Sequence, residues 1–375
     1  MQNFIKKHFN LHFSHIFIFN SYFATAKNLP NYLMSNSDKK LDAQQLFFKL
    51  IKDRLPVHLV LVDKIAELLN MSTDSAYRRI RGEKIMSLDE VVTLAEHFGV
   101  SLDNLIKPSG SEIISISFRT LDEKKFTFEQ YLKSQVFYMD LIIQAEKKEL
   151  IYAAKDLPVF YYYNFDELGW FKHYVWKKAI MGLESYQDKK FQIKEMEKAN
   201  LEIGRQALIR YCQVPGIELW NNETLNSTIR QIDYYFEMGC FEDKETPLLL
   251  LEQVKRLLIH IEDQANRGIK YVFGFPNKVE NAEFKLFNNE VVMCDNSIMA
   301  ITDNTKTAFL THNTLNFMTI TEREYCESMF LWFQNLMKRS TLISSVSEKD
   351  RTKFFSGMKD KVDKLRQKIE NYVLD

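Results

Sequence analysis

Glycine is scarce, 11 in 375 residues, and no G-x-x-x-x-G-K or G-x-G-x-x-G occurs, so the chain carries no motif for P-loop or dinucleotide chemistry. H-E-x-x-H and G-x-S-x-G are missing too, which removes the sequence signatures of the zinc peptidases and the α/β-hydrolases. The four cysteines, Cys212, Cys240, Cys294 and Cys326, are scattered with no C-x-x-C and no histidine at ligand spacing. They read as reduced thiols rather than a disulfide framework or a zinc site. His173, His260 and His312 stand singly and read as structural. Net charge is absent as well: 50 Lys and Arg balance 50 Asp and Glu, so attraction to nucleic acid or to a membrane must come from a local patch. No catalytic role, cofactor or metal is expected.

Apolar residues at 46% and charged residues at 27% are those of a globular chain with a substantial core. The length suggests more than one domain. Residues 1–40 are expected to be a leader, disordered or not translated. The stretch IKKHFNLHFSHIFIFNSYFATAK is aromatic and apolar but interrupted by His12, Ser14, His15, Asn20 and Ser21, too broken for a bilayer span. Met34 is read as the start, with a signal peptide ending near Ala24-Thr25-Ala26 as the alternative. A cytoplasmic protein without membrane contact is expected.

Residues 41–107 break into short amphipathic helices. LDAQQLFFKLIKDRL places Leu46, Phe47, Leu50 and Ile51 at helical spacing and stops at Pro56. DKIAELL follows, and then SLDEVVTLAEHFG, where Ser87 and Glu90 form a capping box and Gly99 suits a left-handed cap. SLDNLI begins a fifth helix at Ser101, and KPSGS at 107–111 has linker chemistry. Between the second and third of these helices lies STDSAYRRIRGEK, with Arg78, Arg79, Arg81 and Lys84 packed into seven positions. Ser72 is a good N-cap, and Ala76 and Ile80, four apart, would face the preceding helix. The outward direction then falls on Arg78, with Asp74, Ser75 and Arg81 beside it and Arg79 near the edge. Such a helix can enter a major groove by its first turn, its guanidinium groups reaching guanine edges or phosphates.

KIAELLNMSTDSAYRRIRGEK and LAEHFGVSLDNL together resemble the Cro/repressor-like helix-turn-helix family of bacterial regulators, also called the xenobiotic-response-element type. The resemblance covers about 65 residues and matches the family's helices two to five. It implies an all-α domain of five short helices that binds double-stranded operator DNA as a homodimer. DNA contact is implied for Ser72, Thr73, Asp74, Ser75, Arg78, Arg79, Arg81 and Lys84. One departure is that Ile80 stands two residues before Gly82, where many members place the equivalent apolar residue three before. Residues 41–107 carry nine Lys and Arg against ten Asp and Glu, so non-specific affinity should be weak and dimerisation needed.

Beyond the linker, a strand is expected at 113–118 and a helical, aromatic-rich region over 112–265, broken near Pro158 and Pro215. Nine of the seventeen residues from 160 to 176 are aromatic, a core or pocket wall in preference to a base-stacking platform. An α+β region with a small antiparallel sheet of four or five strands is expected over 266–345. Its strands would include 269–275 and the runs separated by Asn288-Asn289, Asp295-Asn296 and Asp303-Asn304. A helix closes the chain over 346–375, its seam at Met358, Val362, Leu365, Ile369 and Tyr372. Lysines and arginines flanking that seam oppose pairing with a twin. The C-terminal region would sense a small-molecule or protein effector, or pair subunits. The alternative function is a protein-interaction scaffold that uses the helix-turn-helix module as a docking surface.

Overall fold

The computed structural model describes residues 42–52, 60–98, 100, 102–105, 114, 116, 118, 127–278, 280–291, 293–303, 305–312 and 314–372. The expected leader, the helix stop at Pro56, the cap at Gly99, the linker at 107–111 and half of the expected strand at 113–118 lie outside them. The chain divides into two compact units, 1–111 and 112–375.

In the smaller unit α1 spans Ala43–Lys52, α2 Leu61–Leu68, α3 Thr73–Ile80 and α4 Leu88–Phe98. The fifth helix expected from the sequence is a single 3-10 turn, Leu102–Leu105. A run of four residues is too short to bring in the i→i−4 bonding that sustains an α-helix. Phe47, Phe48, Ile51, Ile65, Ala66, Ala76, Met86, Leu94 and Val100 form the core. Asn70 turns the chain between α2 and α3 in the left-handed region, φ 48°, a conformation asparagine tolerates better than most residues.

The larger unit corrects the expected fold class. Among the described residues its sheet has seven strands in the order β6-β5-β4-β1-β2-β3-β7, and it is mixed rather than small and antiparallel. The strands are β1 Lys148–Ala153, β2 Gly216–Trp220, β3 Phe284–Asn288, β4 Ser297–Thr302, β5 Thr305–His312, β6 Asn316–Ile320 and β7 Thr341–Leu342. β1 pairs parallel with β2, and β2 with β3, while the other pairings are antiparallel. β1 and β2 lie inside the stretch expected to be helical. β2 is buried throughout and β1 from Leu150 onward, so neither shows the alternation that betrays a half-buried strand. The expected strand at 269–275 supplies only an isolated bridge, Ile269 to Glu283.

Helices cover both faces of the sheet. Alternate residues of β1 divide between two cores, Leu150 and Tyr152 in one, Ile151 and Ala153 in the other. The first core takes in α5 Phe128–Gln144, α6 Asp166–Val175, α7 Lys198–Tyr211, α8 Asn226–Glu237, α9 Glu245–Arg267 and α11 Glu348–Glu370. The second is closed by α10, Arg323–Arg339, through Cys326, Met329, Phe333 and Leu336. In α11 Phe355, Met358, Val362, Leu365 and Ile369 are buried in the first core, whereas Tyr372 is half exposed. Lys359–Glu262, Lys255–Asp363 and Arg366–Glu252 bracket the packing of α11 on α9.

Candidate functional site

The Ser72 side chain caps α3 by accepting the Ser75 backbone N–H at 3.3 Å, as its hydroxyl chemistry allows. At the other end Gly82 sits at φ 80°. Its N–H reaches the Arg79 carbonyl at 3.0 Å while the Glu83 N–H reaches the Arg78 carbonyl at 2.8 Å, a Schellman closure that needs the left-handed residue. The helix is thus two turns long, stopped sharply at both ends.

Its rotation differs from the sequence expectation at Arg79. That side chain is 7% exposed and lies inward. Its Nε and Nη2 donate to the two Glu90 oxygens at 3.1 and 2.7 Å, and Nη1 donates to the Ser75 carbonyl at 3.3 Å. The Arg79 hydrogen bonds hold the Glu90 carboxyl below its usual range, against the opposing pull of burial. Glu90 also accepts the Ser87 N–H while the Ser87 hydroxyl accepts the Glu90 N–H, so the capping box of α4 anchors α3. Gln44 on α1 ties the same corner, donating to the Arg79 and Lys84 carbonyls and accepting the Met86 N–H.

Thr73, Asp74, Tyr77, Arg78 and Arg81 are exposed along one face of α3, with Ser75 half-buried at its margin and Ser72 and Lys84 exposed at its ends. Tyr77, half exposed, was not singled out by the sequence reasoning. Its i+4 spacing from Thr73 and to Arg81 is the signal that could have found it. Arg81 pairs with Glu83 at 3.1 Å, and Arg78 approaches the same carboxylate at 4.0 Å. All three are about half exposed, so the pairs exchange readily with another anion.

A second site lies in the larger unit, a cavity of about 250 Å³. It opens at the carboxyl end of β1, where the chain continues to β2 on one side while β4 flanks the other. Crevices at such a switch in strand order are the usual ligand positions of open α/β sheets. Antiparallel pairing of Ala153 with Ser297 brings the loop before β4 to this end. There Asn296 Oδ1 accepts the N–H groups of Lys155 and Asp156 at 2.8 and 3.1 Å, and the Thr311 hydroxyl donates to Asp295.

From α6 comes Lys172, 3% exposed, donating to Gln231 Oε1 of α8 at 2.6 Å. Its ammonium stands 4.6 Å from the Tyr162 ring centre and 5.8 Å from that of Trp176. Burial brings its pKa down to about 8, with the charge of Asp156 pulling upward. A π-helical turn, Trp176–Ile180, follows α6 directly, and such turns re-aim side chains at functional positions. Trp176, Tyr162, Tyr131 and Tyr152 all line the cavity, so part of the aromatic segment is pocket wall and the rest is core.

Deeper in the same unit Glu218 is fully buried and accepts from Tyr161 at 2.7 Å, from Trp220 Nε1 at 2.8 Å and from Tyr211. Burial pushes its carboxyl upward, with these donors and Lys270 opposing. With both oxygens taken, it acts as an internal strut. His173 and His260 are buried, and Cys294 alone of the four free cysteines is exposed.

Among the described residues no group of three or more His, Cys, Asp or Glu is placed to hold a metal ion, and no helix is long and apolar enough to cross a membrane. No protein-family model, curated protein or solved structure matches the chain.

Proposed function

We propose that this chain is a sequence-specific DNA-binding transcriptional regulator, acting in the cytoplasm as a homodimer, with a larger unit that senses an effector or pairs subunits. The observation that carries this reading is the exposed face of α3. Thr73, Asp74, Tyr77, Arg78 and Arg81 point away from the core while the Arg79–Glu90 pair fixes the helix rotation. In a major groove Arg78 would pair with a guanine edge, and Arg81 and Lys84 would meet phosphates. Two copies would set their α3 helices about 34 Å apart to meet successive grooves. Selecting bound fragments from genomic DNA and measuring their affinity against random duplex tests the reading. One shared sequence motif, lost in Arg78→Ala, is expected, and indifferent binding to all duplexes would refute it.

A second reading, a protein-docking module, draws on Ile85 and Leu88, 86% and 72% exposed just beyond α3. Exposed apolar side chains so close together fit a protein surface better than a phosphate backbone. Salt separates the two readings, because only phosphate neutralisation gives a steep negative log–log dependence of affinity.

A further inference from the structure

The cavity at the end of β1 presents both signs of charge and leaves each short of partners. Lys172 has three N–H donors, and Gln231 Oε1 is its one hydrogen-bond acceptor among the described residues. Asp156 Oδ1 is buried with no hydrogen-bond partner, and no ion pair joins it to Lys172 or to any other described residue. Asp156 is half-buried on the cavity wall and its carboxylate accepts no side-chain hydrogen bond among the described residues, which leaves acceptor capacity for a donor from a ligand. We propose that this cavity binds a free α-amino acid with an apolar or aromatic side chain, its carboxylate on Lys172 and its ammonium on Asp156.

Charge balance selects a zwitterion over an ion. Of the charged residues that line the cavity, Lys172 is buried and Asp156 half-buried, with opposite signs, while Lys155 is half-buried and Asp295 exposed, so the enclosed pair cancels and so does the outer one. A ligand of net charge would leave an excess buried in a medium of low dielectric constant, whereas a zwitterion pairs each group and keeps the sum at zero. Size agrees, since about 250 Å³ is below the roughly 300–1,000 Å³ of pockets that take drug-sized ligands. The aromatic faces of Trp176 and Tyr162, with Leu157 and Phe317, provide an apolar wall for the side chain. Lys172, with its pKa near 8, is mostly charged at neutral pH and so ready for a carboxylate.

This inference gives a chemical class to the effector of the proposed sensory unit. It rests on that part of the reading and not on DNA binding. The test therefore uses the full chain without DNA. The common L-amino acids are screened by thermal shift. Phenylalanine, or whichever binds most tightly, then goes to calorimetry beside two relatives that each lack one charge. For phenylalanine these are N-acetyl-L-phenylalanine and 2-phenylethylamine. Each relative should bind at least about tenfold more weakly, since each leaves one buried charge unpaired. Lys172→Met should erase the preference over the amine, and Asp156→Asn the preference over the N-acetyl compound. Should either variant fail to fold, the ligand comparison on the unaltered chain decides alone. The proposal is overturned if no amino acid binds, or if a relative lacking one charge binds as well as its parent. DNA binding measured separately tells failure of this site from failure of α3.

Discussion

Arg79 donates three hydrogen bonds inside the smaller unit, whereas its neighbour Arg78 is exposed and, among the described residues, held only by the distant edge of Glu83. Replacing Arg79 by methionine strips Glu90 of its main partner, and the expected outcome is a loss of about 1–3 kcal/mol of stability in urea unfolding. Glu83→Gln should do the reverse of a functional knock-out. It frees Arg81 and Arg78 and removes a negative charge from the proposed DNA face, so affinity for duplex at low salt should rise by up to about fivefold, the scale of a surface pair. Weaker binding in a direct titration would contradict the proposed face. Two histidines supply a pH prediction. Burial drives His173 down to about 3, with Lys177 adding to the effect, and His260 down to about 4 against the pull of the Tyr271 carbonyl and Asp263. Both are neutral in the fold at pH 7, while in the unfolded chain each gains a proton near 6.5. Below about 6.5 the unfolded state binds more protons, so stability falls as the pH is lowered, by up to about 1.4 kcal/mol per unit for each histidine, and above it this contribution is flat. Urea midpoints between pH 4.5 and 7 should show a shallower slope in His173→Phe than in the unaltered chain, and equal slopes would remove His173 from the account.

At the scale of elements, the packing of α7 offers a sharp test. A Cβ on Gly204 would stand 2.1 Å from the Tyr163 ring, and Tyr163 is fixed by burial and by its bond to His173 Nε2. Gly204→Ala should therefore destabilise the fold by about 1–3 kcal/mol despite alanine's better helix propensity. A rise in the thermal midpoint would show that the contact yields. Helix α11 makes the complementary case, its seam filled by its own chain, and Phe355→Ala should cost about 3–5 kcal/mol in urea unfolding. What was legible in the sequence follows the same lines. The caps at Ser72 and Ser87 and the spacings of Phe47 with Ile51 and of Ala76 with Ile80 mark α1, α3 and α4 because each signal is local. Asn288, Asp295 and Asp303 punctuate β3 to β5 for the same reason. β1 and β2 left no such trace. Their identity comes from partners far along the chain, Leu150 opposite Gly216 and Gly216 opposite Phe284, and tertiary pairing of that kind has no periodicity to display. The inward turn of Arg79 was hidden likewise, since Glu90 becomes its partner only once α4 folds back.

The candidate cavity was the least legible feature of the whole molecule. Lys172, Gln231, Asp156 and Asn296 are drawn from four separate segments, and only the aromatic density of 160–176 marked one wall of it. The proposed face of α3, by contrast, lies within a dozen consecutive residues. On the proposed reading, function at this scale is divided between the unit that carries α3 and the unit that carries the cavity, with DNA binding assigned to the first. The most direct measurement is a salt titration of affinity for a selected duplex and for a random one, with the full chain and with Arg78→Ala. Binding that weakens along a straight, negative log–log line, with a preference for the selected duplex that Arg78→Ala abolishes, is the predicted result. Affinity indifferent to salt, or a preference that survives in Arg78→Ala, would contradict it.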